Sequence, residues 1–292
     1  MRPIVTIVWT YNPSTLTLSK CLSSVIADVN KIFVIDNGSR NRFEVEEICK
    51  SFPKVEFIEI GFNSGVRALN IGISLALKER AELILLLDDD SYVKPGAIKK
   101  VLESYEKLYE ASVQSYVLSK VAIIKITENI KKLNRFRGCL VILPHHLMVF
   151  SGTFIKASIL RDKEIKIREV FFLDQADFDF FYRLKKLGFI TLIYVDELIE
   201  RKLGTLQLIG RKPRVYENSW RYYLIVRNST ILLLEKAMPP HFYFFQLIHY
   251  LYPLCFVEGF RKALRALIIG LAHGLFKKEG YIDPMYFKVN PR

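Results

Sequence analysis

Through the first hundred residues, short β-branched and aliphatic runs alternate with amphipathic stretches, and each run breaks off at a polar cluster. Ile4-Val5-Thr6-Ile7-Val8-Trp9-Thr10 predicts a strand that stops at Tyr11-Asn12-Pro13. A helix is predicted over about residues 15–28, and a second strand over Lys31–Asp36, closed by the Asn37-Gly38 turn. A helix over Phe43–Ser51 and a strand over Val55–Glu59 come next. Asn63-Ser64-Gly65 then opens a helix that runs to Lys78. Leu83-Ile84-Leu85-Leu86-Leu87 is uninterrupted and apolar, the mark of a strand buried on both faces. Strand and helix take turns, which predicts an α/β fold with a right-handed, mostly parallel, doubly wound sheet.

The pattern is mixed after residue 101. A strand is expected within Tyr116–Ile126, a polar, basic connection over Thr127–Arg137, and a short strand at Leu140–Leu143. Phe150–Ile155 is strand-like but broken by Ser151-Gly152-Thr153, which predicts either a close backbone approach to a ligand or a bulge. Phe171–Asp179 leads into a helix that continues to Leu187 and ends at Gly188. His241–Pro253 is apolar nearly all round and rich in aromatic residues. Beyond it Phe260, Leu264, Leu267, Ile268, Leu271 and Leu275 recur at helical spacing beside Arg261, Lys262 and Arg265.

The 292 residues suffice for one large α/β domain and an appendage. The boundary is expected at residue 235, with a nucleotide-binding half over residues 1–100, an acceptor and base half over 101–235, and helices over 236–292. With 25% charged and 51% apolar residues, the chain folds rather than stays disordered. The net charge of +13 is uneven, since fifteen Lys and Arg face six Asp and Glu from Glu200 onward. Because that basic stretch is also aromatic and aliphatic, it favours an anionic membrane surface over nucleic acid. The alternative is a helical pair packed on the rest of the chain or on a second subunit, as in a homodimer. No run of 18 apolar residues occurs, and Met1-Arg2-Pro3 leads directly into a strand, so neither a membrane span nor a leader is expected. Cys21, Cys49, Cys139 and Cys255 are scattered, which predicts buried apolar thiols in a reducing compartment and no metal knuckle.

Candidate chemistry gathers at the strand exits. Asp88-Asp89-Asp90 ends the most apolar strand, and three adjacent carboxylates repel one another unless something neutralises them. A divalent cation does so, and hard oxygen ligands suit Mg2+ or Mn2+. A solvated acidic turn capping the next helix is the plainer reading. Thr10-Tyr11-Asn12, Asp36-Asn37-Gly38-Ser39 and Asn63-Ser64-Gly65 fall at the other exits, where ligands bind in such sheets. Neither a Walker loop nor GxGxxG is present, so a glycine cradle does not hold phosphate. In the second acidic cluster, Asp174 and Asp177 are three apart and would share a face of a helical first turn. A carboxylate at a helix start stays ionised, as a general base must.

In this order the motifs resemble the inverting glycosyltransferases of family 2, which have the GT-A fold, and most of all rhamnosyl- and galactofuranosyltransferases. The resemblance spans about residues 4–235. It implies nucleotide-sugar contacts from Thr10, Tyr11, Asn12, Asp36, Asn37, Gly38, Asn63, Gly65, Arg67 and Asn70. Asp88-Asp89-Asp90 is similar to the DXD motif, which implies that Asp88 meets ribose, with Asp89 beside it, and that Asp90 ligates the metal. Ser151-Gly152-Thr153 resembles the segment beside donor sugar and acceptor. Phe172–Asp179 is similar to the catalytic-base helix, so Asp177 is the implied base, while Asp174 and Asp179 support it or bind acceptor hydroxyls. Trp220-Arg221-Tyr222-Tyr223 and Arg227-Asn228 resemble a helix of these transferases, and residues 262–275 their amphipathic tail.

Arg201-Lys202-Leu203-Gly204 stands where the family commonly has H-x-L-G. An arginine binds no cation but pairs with diphosphate, so Arg201 and Arg211 are expected at the leaving group. The implied reaction moves a sugar from a UDP- or dTDP-linked donor to a hydroxyl of a glycan or lipid-linked acceptor at the inner face of the cell membrane, in the cytoplasm. Two other classes stay open at this point: a sugar-nucleotide pyrophosphorylase or nucleotidyltransferase, and a non-catalytic nucleotide-sugar-binding protein.

Overall fold

The computed structural model describes residues 2–111, 121–126, 131–142, 149–201, 205–209 and 212–288. It divides into two compact units, Met1–Ile167 with Phe180–Lys202, and Arg168–Asp179 with Leu203–Arg292.

The first unit opens as the apolar pattern predicts, with β1 (Ile4–Thr10), α1 (Thr15–Val25), β2 (Lys31–Asp36), α2 (Arg42–Lys50), β3 (Val55–Glu59), α3 (Arg67–Lys78) and β4 (Leu83–Asp88). The helix expected to open at Asn63 begins only at Arg67, because Asn63, Ser64 and Gly65 are tied into a loop. The strands β5 (Tyr92–Val93), β6 (Val121–Ile126), β7 (Leu140–Ile142), β8 (Thr153–Lys156), β9 (Ile190–Tyr194) and β10 (Ile199–Glu200) follow, with helices α4 (Ala97–Ala111) and α5 (Ala157–Asp162), and α6 (Ala176–Lys186), whose first turn up to Asp179 is counted with the second unit. Eight strands form one sheet in the order β3-β2-β1-β4-β8-β6-β9-β7. The first four are parallel, whereas β8 runs antiparallel to both β4 and β6. The result is a mixed, mostly parallel sheet flanked by helices.

From β1 the chain steps outward to β3 and then crosses back to β4 on the other side of β1. The β1/β4 seam is therefore the switch point at which open α/β sheets bind ligands. Register brings the polar ends level there, Thr10 lying opposite Asp36 and Trp9 opposite Asp88. Every residue from Leu83 to Leu87 is buried, so the carboxylates that follow leave a rigid, dry support.

The second unit holds the hairpin β11 (Thr205–Ile209) and β12 (Lys212–Tyr216), then α7 (Ser219–Leu234), α8 (Pro240–Val257) and α9 (Phe260–Leu275). The Asn218 side chain caps α7 by accepting the Arg221 N–H at 2.9 Å. In α9 the small residues Ala263, Ala266, Gly270 and Gly274 are buried, and α7 is the helix they pack on. A Cβ on Gly274 would come within 2.5 Å of Thr230 Cβ, so only glycine allows this approach. The large residues Phe260, Ile268 and Leu275 point to solvent instead. On α8 likewise Tyr243 and Leu254 are buried, and Phe245, Ile248 and Phe256 exposed. Residue 235 is thus a junction inside this unit, between α7 and α8, rather than its edge. No helix of the described residues is long and apolar enough to cross a membrane. Cys21 and Cys49 are buried as expected, while Cys255 is half-buried and Cys139 is exposed at the start of the edge strand β7.

Candidate active site

Three strand-exit loops are stitched together by their own polar side chains. Asp36, wholly buried at the end of β2, accepts the Thr10 hydroxyl at 3.0 Å and the backbone N–H groups of Gly38 and Ser39 at 3.2 and 2.9 Å. The Ser39 hydroxyl accepts the Asn12 N–H at 2.8 Å, and Asn12 Oδ1 accepts the Arg40 N–H at 2.8 Å. Asn37 Nδ2 donates to Asn63 Oδ1 and to the Gly65 carbonyl, both at 3.1 Å, while Asn37 Oδ1 accepts the Ser64 N–H and hydroxyl at 2.7 Å each. Gly38 has φ +81°, and a Cβ there would lie 2.6 Å from the Phe62 carbonyl carbon, so glycine is obligatory. Arg67 is exposed at the first turn of α3. Asn70 exchanges two bonds with the Ile167 backbone, at 2.8 and 3.0 Å, and so secures the chain rather than facing the loops.

The acidic triad lies at the exit of β4. The Asp88 N–H donates to Ser151 Oγ at 3.0 Å, and Ser151 shares a 2.7 Å hydrogen bond with Ser91. Thr153 Oγ1 donates to the Val149 carbonyl, and the Gly152 N–H to the Leu86 carbonyl. Ser151, Gly152 and Thr153 are therefore a buried platform behind Asp88. Arg201 Nη1 donates to Asp88 Oδ2 at 2.8 Å, which makes a partly buried ion pair. Burial, then the charges of Asp88 and Asp90, push the Asp89 carboxyl up to about 7, against a pull down from the Tyr11 backbone amide. Arg211, with Lys202 to Gly204, lies outside the described residues.

The donor set decides what cation this triad suits. Among the described residues no three His, Cys, Asp or Glu side chains converge into a cage. With Asp88 committed to Arg201, the set fits a cation held by few protein carboxylates, Asp90 among them, and completed by ligand phosphates. Mg2+ is commonly bound in that way.

The second acidic cluster belongs to the second unit. Helix α6 begins at Ala176, not at Asp174. Asp174 is kept out of the helix by its φ of 27° and by Arg221, whose Nε and Nη2 grip the carboxylate at 3.0–3.2 Å. Asp174 and Asp177 accordingly do not share a helical turn, which corrects the expectation from their spacing. The Asp174 charge in turn pushes the Arg221 pKa up. Asp177 and Asp179 are the acids of the first turn. Asp177, half-buried, accepts the Phe178 N–H at 2.8 Å. Asp179 is buried and accepts from Arg168 Nη1 at 3.1 Å, and Arg168 also holds Glu235 at 2.7 and 3.2 Å. Arg168, Glu235 and Ser91 carry no motif signal, and only the folded chain reveals them.

Comparisons with known proteins follow this geometry. The Glycosyl transferase family 2 profile matches residues 6–161. The dTDP-rhamnosyl transferase RfbF of Shigella flexneri is 27% identical over 247 residues, which is 81% of each chain. TarS residues 1–349 of S. aureus superpose with a TM-score of 0.56 at 13% identity, over 94% of this chain and 82% of TarS. The same TarS fragment in complex with UDP-GlcNAc gives 0.56 at 13% identity, over 99% of this chain and 76% of that one. At such identity the TarS likeness is one of fold, with sheet and flanking helices arranged as in GT-A.

Proposed function

The chain belongs to glycosyl transferase family 2, and on that premise we propose that it is an inverting hexosyltransferase that takes its sugar from a dTDP- or UDP-linked donor. As a family 2 glycosyltransferase it uses a nucleotide sugar, so the pyrophosphorylase and scaffold readings fall away. The observation that carries the reading is the stitched edge at the β1/β4 switch point, where loops made rigid by Asp36, Asn37 and Asn12 meet three carboxylates and an arginine. The likeness to a dTDP-rhamnosyl transferase favours a deoxyhexose on dTDP.

The roles follow from chemistry. Asp36, Asn37, Gly38 and Thr10–Asn12 shape the nucleotide pocket, and Asn63, Gly65 and Arg67 set its floor, while Asn70 anchors α3 to the Ile167 backbone. Asp88 faces ribose, with Asp89 beside it. Asp90 would hold Mg2+ or Mn2+, which when bound would supply positive charge near the departing diphosphate, and Arg201 and Arg211 would add theirs. Asp177 takes the proton of an acceptor hydroxyl while that oxygen attacks the anomeric carbon from the face opposite the diphosphate. One C–O bond forms as the other breaks, so the configuration inverts. Asp174 and Asp179, held by Arg221 and Arg168, support the base, and the buried Ser151–Thr153 segment backs Asp88.

The acceptor is a membrane-held glycan or lipid-linked sugar. On α8 and α9 Phe245, Ile248, Phe256, Phe260 and Ile268 are exposed, with Arg261, Lys262 and Arg265 on α9 and Lys277 and Lys278 just past its end. That mixture suits an anionic lipid surface, which would place the enzyme peripherally on the inner face of the cell membrane. A donor panel of dTDP-rhamnose, UDP-galactofuranose, UDP-glucose and UDP-GlcNAc with Mg2+ tests the reaction by release of nucleoside diphosphate. Release from one donor is expected, and none from any would sink the reading.

A further inference from the structure

The residues ahead of α6 are held in a conformation that non-glycine residues avoid. Phe172 lies at φ 60°, ψ −56°, and the Leu173 N–H donates back to the Phe171 carbonyl at 2.6 Å. That is a γ-turn of the rare positive-φ kind. Asp174 at φ 27° and Gln175 at φ 68° follow directly, so three of the four residues before the helix are out of the ordinary region. Such a segment persists only where its surroundings over-determine it.

Two adjacent residues of α7 do so. Asn228 Nδ2 donates to the carbonyls of Phe171, Leu173 and Asp174 at 3.0, 3.0 and 2.7 Å. Arg227 Nε donates to Asn228 Oδ1 at 2.9 Å. An arginine can only donate, so the amide oxygen must face it and the amide nitrogen must face the turn. Arg227 Nη2 reaches the same Phe171 carbonyl at 3.2 Å, and Nη1 the Gly280 carbonyl at 2.6 Å. The Gly280 N–H then donates to the Val170 carbonyl at 3.0 Å. Arg227 is 1% exposed and Asn228 wholly buried. A buried guanidinium directed at main-chain carbonyls is expensive, and a buried polar network of this kind, in which two Asn228 amide hydrogens are shared among three carbonyls, fixes one conformation against others. The Phe172 ring closes the cluster between Trp220 and Tyr281, with centroids 6.1 and 5.0 Å away.

We propose that Arg227 and Asn228 are positioning residues, which clamp the 171–174 turn and thereby set where the Asp177 carboxylate stands at the start of α6. The proposal deepens the reading of Asp177 as base and rests on it for its catalytic consequence. Asn228→Asp is the informative variant, because it keeps the shape and pairs with Arg227 but has no N–H for the three carbonyls. The assay is dTDP release from dTDP-rhamnose with Mg2+, beside amide hydrogen exchange over residues 168–179. In the full-length protein kcat should fall about a hundredfold, as for a misplaced catalytic group, with donor KM within about threefold of wild type. Exchange of the Leu173 and Asp179 amides should accelerate while the amides of α9 keep their protection.

A folded Asn228→Asp protein with near-normal kcat, or with unchanged exchange over 171–179, overturns the clamp. If that variant does not fold, exchange in the wild type decides: amides of the turn as protected as mid-α7 support the clamp, and loop-like exchange overturns it. Asp177→Asn in parallel separates the two claims. Normal turnover there removes Asp177 as base, while the exchange data still judge the clamp independently.

Discussion

Arg201 Nη1 stands 2.8 Å from Asp88 Oδ2, so the first carboxylate of the acidic triad already faces a cation of the protein's own. The family commonly has a histidine at this place, which could bind the metal that an arginine repels. On the proposed mechanism the guanidinium would carry part of the neutralisation that a more fully held cation provides. Arg201→Ala is expected to lower turnover by roughly 10²–10³-fold, the cost of losing one donor aimed at developing charge. It should also make nucleotide affinity depend more steeply on Mg2+, read by calorimetry with dTDP. Wild-type turnover in Arg201→Ala would assign the ion pair to structure alone.

Asp177→Asn should bind dTDP and the donor as the wild type does, because a general base acts on the acceptor hydroxyl and not on the nucleotide. Transfer should drop by roughly 10²–10⁴-fold, the usual share of general base catalysis. Titration calorimetry and product release read the two halves separately. Turnover within about threefold of wild type, in the regime where chemistry limits the rate, would remove the residue from the mechanism.

Local pattern carried the first half of the fold because the strands β1, β2 and β4 are buried on both faces and read as apolar runs, while the edge strand β3 alternates half-buried Val55 and Phe57 with exposed Glu56 and Glu59. Their polar exits were legible for the same reason: where the burial stops, side-chain chemistry begins. The two-residue strands β5 and β10 offer no such run, and their pairing joins Val93 to the distant Ile199. Ile190–Tyr194 has a β-branched signal, but its partner β6 lies far back in the chain. Asp174 was misplaced on a helix because its conformation is set by Arg221 and Asn228, half a hundred residues on, and not by its neighbours. Periodicity in α9 marked an apolar stripe without telling which face packs. The Gly270 and Gly274 pair, small residues four apart, is the readable clue to the packed face, which leaves Phe260, Ile268 and Leu275 exposed.

Gly38→Ala tests the nucleotide edge without altering any polar group. A methyl at φ +81° would press on the Phe62 backbone and displace the N–H groups that Asp36 accepts. Strain of about 1–3 kcal/mol is expected from the forbidden backbone alone. Dissociation constants for dTDP or UDP should rise at least tenfold, a 1.4 kcal/mol loss of binding at minimum. Unchanged nucleotide affinity would show that this loop does not line the pocket.

His273 makes the second unit sensitive to mild acid. Burial first, then Lys278 and Arg227, push its pKa below the ordinary 6.5, and its Nδ1 lies 2.8 Å from the Tyr223 hydroxyl. The folded chain therefore binds fewer protons than the unfolded chain just below pH 6.5. This contribution is complete above that pH and is lost as pH falls towards the folded value. His273→Gln should reduce the dependence of Tm on pH between about 7 and 5, leaving the part that comes from His249, which burial and Arg214 also shift down. An identical slope in the variant would place the acid sensitivity elsewhere.

The outward apolar faces of α8 and α9 set the last expectation. Phe256 is 64% and Ile268 56% exposed, so replacing either with glutamate costs little in the fold. If these faces enter a lipid interface, each loses roughly 1.5–3 kcal/mol of burial and gains a charge that anionic lipid repels. Phe256→Glu and Ile268→Glu should then cosediment at least tenfold less with phosphatidylglycerol vesicles. Wild-type binding should weaken in phosphatidylcholine alone and in high salt, because Arg261, Lys262 and Arg265 contribute through screened attraction. A homodimer would behave otherwise: sedimentation equilibrium without vesicles would show a dimer that both substitutions dissolve, with vesicle binding weak throughout. The small-residue seam between α7 and α9 is already filled from within the chain, whereas the bulky outer face has arginines and lysines beside it that a second identical copy would have to bring into like-charge contact. That repulsion favours the lipid outcome.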